Sequence, residues 1–137
     1  MTALRRRAPD LLALLFAGSA VLHIVSPHTY EQIVPSWIPL AREVIYVSGV
    51  AEMICAVGLF LRRPWAAPAS VALLVIVFPA NIQMAVDAGS HKLSGLFDSR
   101  TIAYLRLPLQ LPLIWAALQA RRSRRVAAPL SGGHERL

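Results

Sequence analysis

Glu52 stands near the middle of the apolar run 44–61, with no other charge inside that run. An ionised carboxylate at such a depth in a bilayer costs about 2.5–3.5 kcal/mol on insertion scales, so membrane helices keep one where it is paired or used. An opposite charge lies in the last apolar run, where Arg106 sits inside Leu105-Arg106-Leu107-Pro108-Leu109-Gln110. His23 and Asn81 are polar interruptions of two other apolar runs, and Gln110 falls one turn from Arg106 on the same helix face. Counted from the outer ends of the predicted helices, His23 lies about three residues in, Arg106 about four, Asn81 about five and Glu52 about eight, at about 1.5 Å per residue. Arginine has the reach to bridge that offset. The spacing predicts a Glu52–Arg106 ion pair and a common polar layer, which is how side chains on facing helices build an internal site.

An acid, an imidazole and several donors suit a small amphipathic ligand. A quinone, for example, has two carbonyls that need donors and a ring that needs apolar walls. His23, Glu52, Asn81, Arg106 and Gln110 are therefore the candidate ligand-binding residues, with Glu52 or His23 able to hold a proton. Plainer readings stand beside this one. The ion pair would fix helix register, His23 would cap its helix, and Asn81 and Gln110 would join helices by hydrogen bonds. His28, His91 and His134 fall in loops and tail without ligand spacing, so no metal set is predicted. The single Cys55 excludes an intrachain disulfide and dithiol chemistry, and reads as a buried thiol. No nucleophile–base pair, nucleotide loop or paired haem ligands appear, so nothing points to an enzyme acting alone and no cofactor is required.

A membrane bundle must position these residues. Charged residues make up only 15% of the 137, against about a quarter in soluble proteins, and the mean hydropathy is +0.55. The apolar residues gather in four runs, 11–25, 44–61, 65–86 and 102–120. A spanning helix needs about 20 residues. The pattern predicts an all-α, polytopic four-helix membrane bundle over residues 1–125, with helices at about 9–26, 43–61, 65–86 and 101–120. A disordered tail, 126–137, is expected to follow. The first run continues past Ala17-Gly18-Ser19-Ala20 through Val21, Leu22, Ile24 and Val25, longer than a signal-peptide core, so it reads as a retained helix. Residues 27–42 are too apolar to float in water and too rich in proline to span. They predict an interfacial outer loop that lies along the membrane surface or folds back over the bundle mouth, with Tyr30 and Trp37 at headgroup level. Pro79, Pro108 and Pro112 should free the carbonyls of Val75, Tyr104 and Pro108 and kink their helices.

The net charge of +7 is not spread as a nucleic-acid surface would be. Arg5, Arg6, Arg7, Arg62, Arg63, Arg121, Arg122, Arg124, Arg125 and Arg136 fall on one side of the predicted topology, against Arg42, Lys92 and Arg100 on the other. That asymmetry predicts both termini in the cytoplasm and a multi-pass protein of the inner (plasma) membrane. The bilayer is then the first partner, with its anionic headgroups beside the arginines.

The strings Leu22-His23 with Pro27, Ile33-Val34-Pro35-Ser36-Trp37-Ile38-Pro39, Tyr46-Val47-Ser48-Gly49-Val50-Ala51-Glu52, Phe78-Pro79-Ala80-Asn81-Ile82 and Leu105-Arg106-Leu107-Pro108-Leu109-Gln110 run in order across about residues 11–120. In these the chain resembles the DoxX-like family of small four-helix membrane proteins. The resemblance implies four membrane helices and puts His23, Glu52, Asn81, Arg106 and Gln110 on motif positions. It implies an accessory role beside oxidase or thiosulfate–quinone oxidoreductase subunits, periplasmic redox-enzyme maturation or thiol-stress complexes. The leading expectation is an accessory subunit of a membrane redox or stress-response system, with a membrane or periplasmic redox protein, or a second copy of the chain, as partner. A structural, chaperone-like membrane partner is the alternative. A small proton-coupled transporter comes third, because no repeat or paired midplane break is visible.

The topology is directly testable. A cysteine placed at Ser94 should react with an impermeant maleimide in intact cells, and one at Ser123 only after permeabilisation. The reverse pattern overturns the orientation.

Overall fold

The computed structural model describes residues 3–90, 93 and 95–127. The expected tail from 128 onward lies outside the described residues, as do His91, Lys92 and Ser94. The chain forms α1 (Ala3–Val25), α2 (Pro27–Glu31), α3 (Ala41–Phe60), α4 (Ala66–Asp87) and α5 (Arg100–Ala127), with one 3-10 turn at Gly95–Asp98. No strand occurs among the described residues. Four of the helices, α1, α3, α4 and α5, are long and apolar enough to cross a membrane. The protein is thus an all-α, multi-pass membrane protein. This suits a solvent that cannot hydrogen-bond to backbone, where each helix satisfies its own amides.

The four long helices close a ring in which α1 packs on α3, α3 on α4, α4 on α5, and α5 back on α1. The most extensive contacts join α1 to α3 and α4 to α5, so the bundle is two tight pairs laid together. Two helices run further than the apolar runs predict. α1 begins at Ala3, not near Pro9, and carries Arg5, Arg6 and Arg7 on helical turns. Pro9 removes the donor for the Arg5 carbonyl only, and the adjacent Arg6 carbonyl accepts from Arg62 Nη2 at 3.5 Å. α5 continues to Ala127, past the predicted end at 120, because the arginines after the apolar stretch are good helix formers.

At the arginine-rich end, Arg62 adopts the left-handed conformation (φ 55°) in the turn after α3, and its Nη2 donates to Asp10 Oδ2 at 2.8 Å. Behind it lies a core of small and medium side chains, with Leu12 and Phe16 from α1, Leu59 from α3, Leu74 from α4 and Ala117 from α5. A second core at the opposite end gathers Met84, Ala85 and Ala88 from α4, Ala103 from α5 and Ile33 from the proline-rich segment. That segment therefore takes the second of the two expected paths and folds back over the bundle end. Pro27 opens α2, Leu40 turns the chain into α3 at φ 58°, and Arg42 Nε donates to Glu31 Oε1 at 2.5 Å. That bond holds the Glu31 carboxyl below the ordinary carboxylate range, so the latch persists at neutral pH and is lost only as pH falls through the lowered value. Trp37 is 73% exposed, whereas Tyr30 turns inward and lines the space between the helices.

The approach of α1 to α3 depends on Gly49. A Cβ there would lie 2.9 Å from His23 Cβ and 3.4 Å from the Ala20 carbonyl oxygen. Gly49→Val should lower stability by about 1–3 kcal/mol, the cost of overpacking a formed contact. Gly18→Ala, where nothing lies within 4 Å, should be neutral or slightly stabilising in the same detergent unfolding assay. Equal effects at the two positions overturn the close approach.

Candidate functional site

Between the two cores the bundle encloses a cavity of about 270 Å³, near the lower end of the roughly 300–1,000 Å³ common for small-molecule sites. His23, Glu52, Asn81, Arg106 and Gln110 all line it. The four long helices each bring polar groups to it, as the shared depth of these residues requires, and Ser19 and Ser48 join them one turn from His23 and Glu52. Aliphatic side chains with Phe16 and Tyr30 make the remaining walls.

The bonds inside this layer differ from the predicted ones. Glu52 pairs with His23, whose Nδ1 lies 3.1 Å from Oε2, and each side chain is 10% exposed. Arg106 instead donates from Nη1 to the Met84 sulfur at 3.4 Å. Gly49 explains the correction. It lies one turn from Glu52 and lets α1 come close enough for the imidazole to reach the carboxylate, while Arg106 belongs to the opposite helix pair. Depth along each helix was therefore a sound guide to the layer, but not to the partner within it.

The amide groups form a separate unit. Pro79 takes from α4 the donor for the Val75 carbonyl. Gln110 Nε2 donates to the neighbouring Leu74 carbonyl, while Gln110 Oε1 accepts from Asn81 Nδ2 at 3.3 Å. Both hydrogen-bonding ends of Gln110 are thus occupied across the α4–α5 contact. His23 with Glu52 joins α1 to α3, and Asn81 with Gln110 and Leu74 joins α4 to α5. The cavity lies between the two joined pairs.

Tyr30 is a site residue that sequence reasoning missed. Its ring covers the His23 imidazole, centroid to centroid 4.1 Å with the planes tilted by 38°. Burial pushes its phenol up, Arg106 draws it down and Glu52 adds to the rise, so the hydroxyl stays neutral and able to donate. Nothing periodic marks a lone tyrosine in a proline-rich loop. Met84 was also missed, and the i, i+4 spacing of Ser19 and His23 was a signal left unread. Cys55 is buried, as expected. Among the described residues no three histidine, cysteine, aspartate or glutamate side chains gather as a metal set.

Residues 12–121 match a family described as a domain of unknown function (DUF8561), a span that takes in all four long helices and every cavity residue. No curated protein and no solved structure matches the chain.

The His23–Glu52 bond predicts an order among substitutions. His23→Leu strands a buried carboxylate and should cost about 3–5 kcal/mol, as breaking one side of a buried pair does in soluble proteins. Glu52→Gln leaves an amide oxygen for Nδ1–H and should cost less. The double change His23→Leu/Glu52→Leu should recover much of the loss. Unfolding in a graded detergent mixture reads all three. If Arg106→Gln is as costly as His23→Leu, and the double change recovers nothing, the assigned pairing fails.

Proposed function

The chain belongs to the DUF8561 family, and we propose that it is an accessory subunit of a membrane redox or stress-response system whose cavity holds the head of a small amphipathic ligand such as a quinone. The observation that carries this reading is the cavity itself: apolar walls, an acid–imidazole pair on one side and a guanidinium on the other. Glu52 takes His23 Nδ1, which fixes the ring and leaves Nε2 as the nitrogen for a ligand. With one proton added to the pair, Nε2–H donates to a carbonyl oxygen. With that proton gone, Nε2 accepts from a hydroxyl. The dyad thus suits both the oxidised and the reduced form of a quinone head. Arg106 supplies further donors, and the walls suit the ring. In the accessory role the electrons come from a membrane or periplasmic redox partner, in line with the DoxX-like resemblance. The charge asymmetry supports a plasma (inner) membrane location with the arginine-rich end in the cytoplasm.

One observation favours a purely structural reading. Asn81, Gln110 and the Leu74 carbonyl satisfy one another without any ligand, and such interhelical bonds contribute about 0.6 kcal/mol each. These two amides are therefore helix joints, and the ligand-handling groups are His23, Glu52, Arg106 and Tyr30.

Mass analysis of lipids extracted from the purified protein should find a quinone retained by wild type and by Asn81→Leu, and lost from Glu52→Gln/His23→Gln while that variant still inserts. Absence of any quinone from wild type, with a full wild-type phenotype for the dyad variant in a deletion strain, leaves the structural reading in its place.

A further inference from the structure

Granting the cavity as a ligand site, on which this rests, we infer that it opens sideways between α1 and α5 into the bilayer. Its ligand is then a tailed amphiphile that enters from the lipid phase and leaves its hydrocarbon chain outside the bundle.

Two helix edges carry the inference. On α1, Ala8, Leu12, Leu15 and Ser19 follow one another at i, i+4, i+7 and i+11, and so share one edge. On α5, Leu109, Leu113, Ala116 and Ala120 do the same. At the arginine-rich end the two edges seal: Ala8 is 4% exposed, Leu12 2%, Ala120 4% and Ala116 8%, all within one core. Further along, Leu15 is 50% exposed and Leu109 49%. Both still line the cavity. Each lies roughly nine or ten residues from the α2 end of its helix, hence at similar depth. Residues that form the cavity wall and also face outward mark a slot in that wall.

Val44 of α3 also lines the cavity and is 40% exposed, but no exposed wall residue of α4 stands opposite it, so no second slot is paired across a seam. α1 and α3 close on each other at Gly49 and through His23–Glu52. α4 and α5 are joined through Gln110. The α3–α4 seam is the less extensively packed of the two open sides, but the α4 residues that wall the cavity there, Leu74, Val77, Ala80 and Asn81, are buried or half-buried and present no outward face. The α2 end is covered by Tyr30 and the buried Ile33. The slot also sits where an amphiphile would present itself, beside Leu14, Leu105 and Leu111, which are 67%, 62% and 70% exposed on a surface that faces acyl chains. A cavity of about 270 Å³ holds a ring and its substituents but not a long chain, so the chain must leave through the slot.

The test uses the wild-type protein in lipid nanodiscs and two probes, a tail-less dimethoxybenzoquinone and its decyl-tailed analogue with a diazirine at the end of the tail. The tailed probe should bind at least ten-fold more tightly. After photolysis its adducts should map to outward positions of α1 and α5, such as Leu11, Leu14 and Leu111, and vanish under excess unlabelled decyl quinone. Competitor-sensitive adducts on Ile54 and Ile76 of α3 and α4, or on the segment 32–40, overturn the slot while leaving the head site intact. Equal affinity for the two probes also overturns it. If neither probe binds, the ligand reading falls, and the slot with it.

Discussion

A carboxylate buried among apolar helices constrains everything near it. Glu52 lies where water cannot solvate it, so it must find a donor on another helix or surrender its charge. The partner is His23, and that bond is possible only because Gly49 has no side chain to hold α1 away. The imidazole is in turn fixed between the carboxylate and the Tyr30 ring. One polar contact thus sets the spacing of α1 and α3, the orientation of the histidine and the position of the segment that closes the bundle end.

The second constraint is the backbone itself. In a bilayer a carbonyl that loses its donor cannot turn to water, and prolines inside spans create such carbonyls. Beside two of these prolines, side chains from a neighbouring element bond to the carbonyl next to the freed one. Gln110 reaches the Leu74 carbonyl, next to the Val75 carbonyl freed by Pro79, and Arg62 reaches the Arg6 carbonyl, next to the Arg5 carbonyl freed by Pro9. Each of these bonds ties two elements together beside a helix proline. This explains why Gln110 and Asn81 serve as joints although they line the same cavity as the dyad. A shared wall does not imply a shared role.

Four runs of apolar residues were enough to read the helices, because length and hydropathy alone decide what spans a bilayer. The polar layer was legible too, since a rise per residue converts sequence position into depth. Partner choice was not legible. Depth says nothing of which helix stands beside which, and the strongest opposite charge, Arg106, drew the prediction away from the nearer histidine. Gly49 and Ala20 held the missing signal, since small residues mark close helix approach, but only a known neighbour gives that mark a meaning. Tyr30 was beyond reach for a different reason. Its position is set by the path of a proline-rich segment, which follows no period. The two large misses at helix ends, the start of α1 and the finish of α5, fall on arginines, since arginines outside an apolar core can still continue a helix.

The two ends of the bundle divide the work between them. At the arginine-rich end alanines interlock, Arg62 ties α1 to the turn after α3, and the pairs α1/α3 and α4/α5 are pressed into one core. Toward the other end, the polar bonds described above run inside each pair rather than across the cavity. Fastening each pair internally leaves room between the pairs, because His23 with Glu52 and Asn81 with Gln110 bond within their own pair. A bundle stitched across its centre would have no room, and one without stitches would leave Glu52 with no partner on another helix. The cavity is the geometric consequence of placing the stitches on two opposite sides of the ring and leaving the alanine core to hold the other end shut.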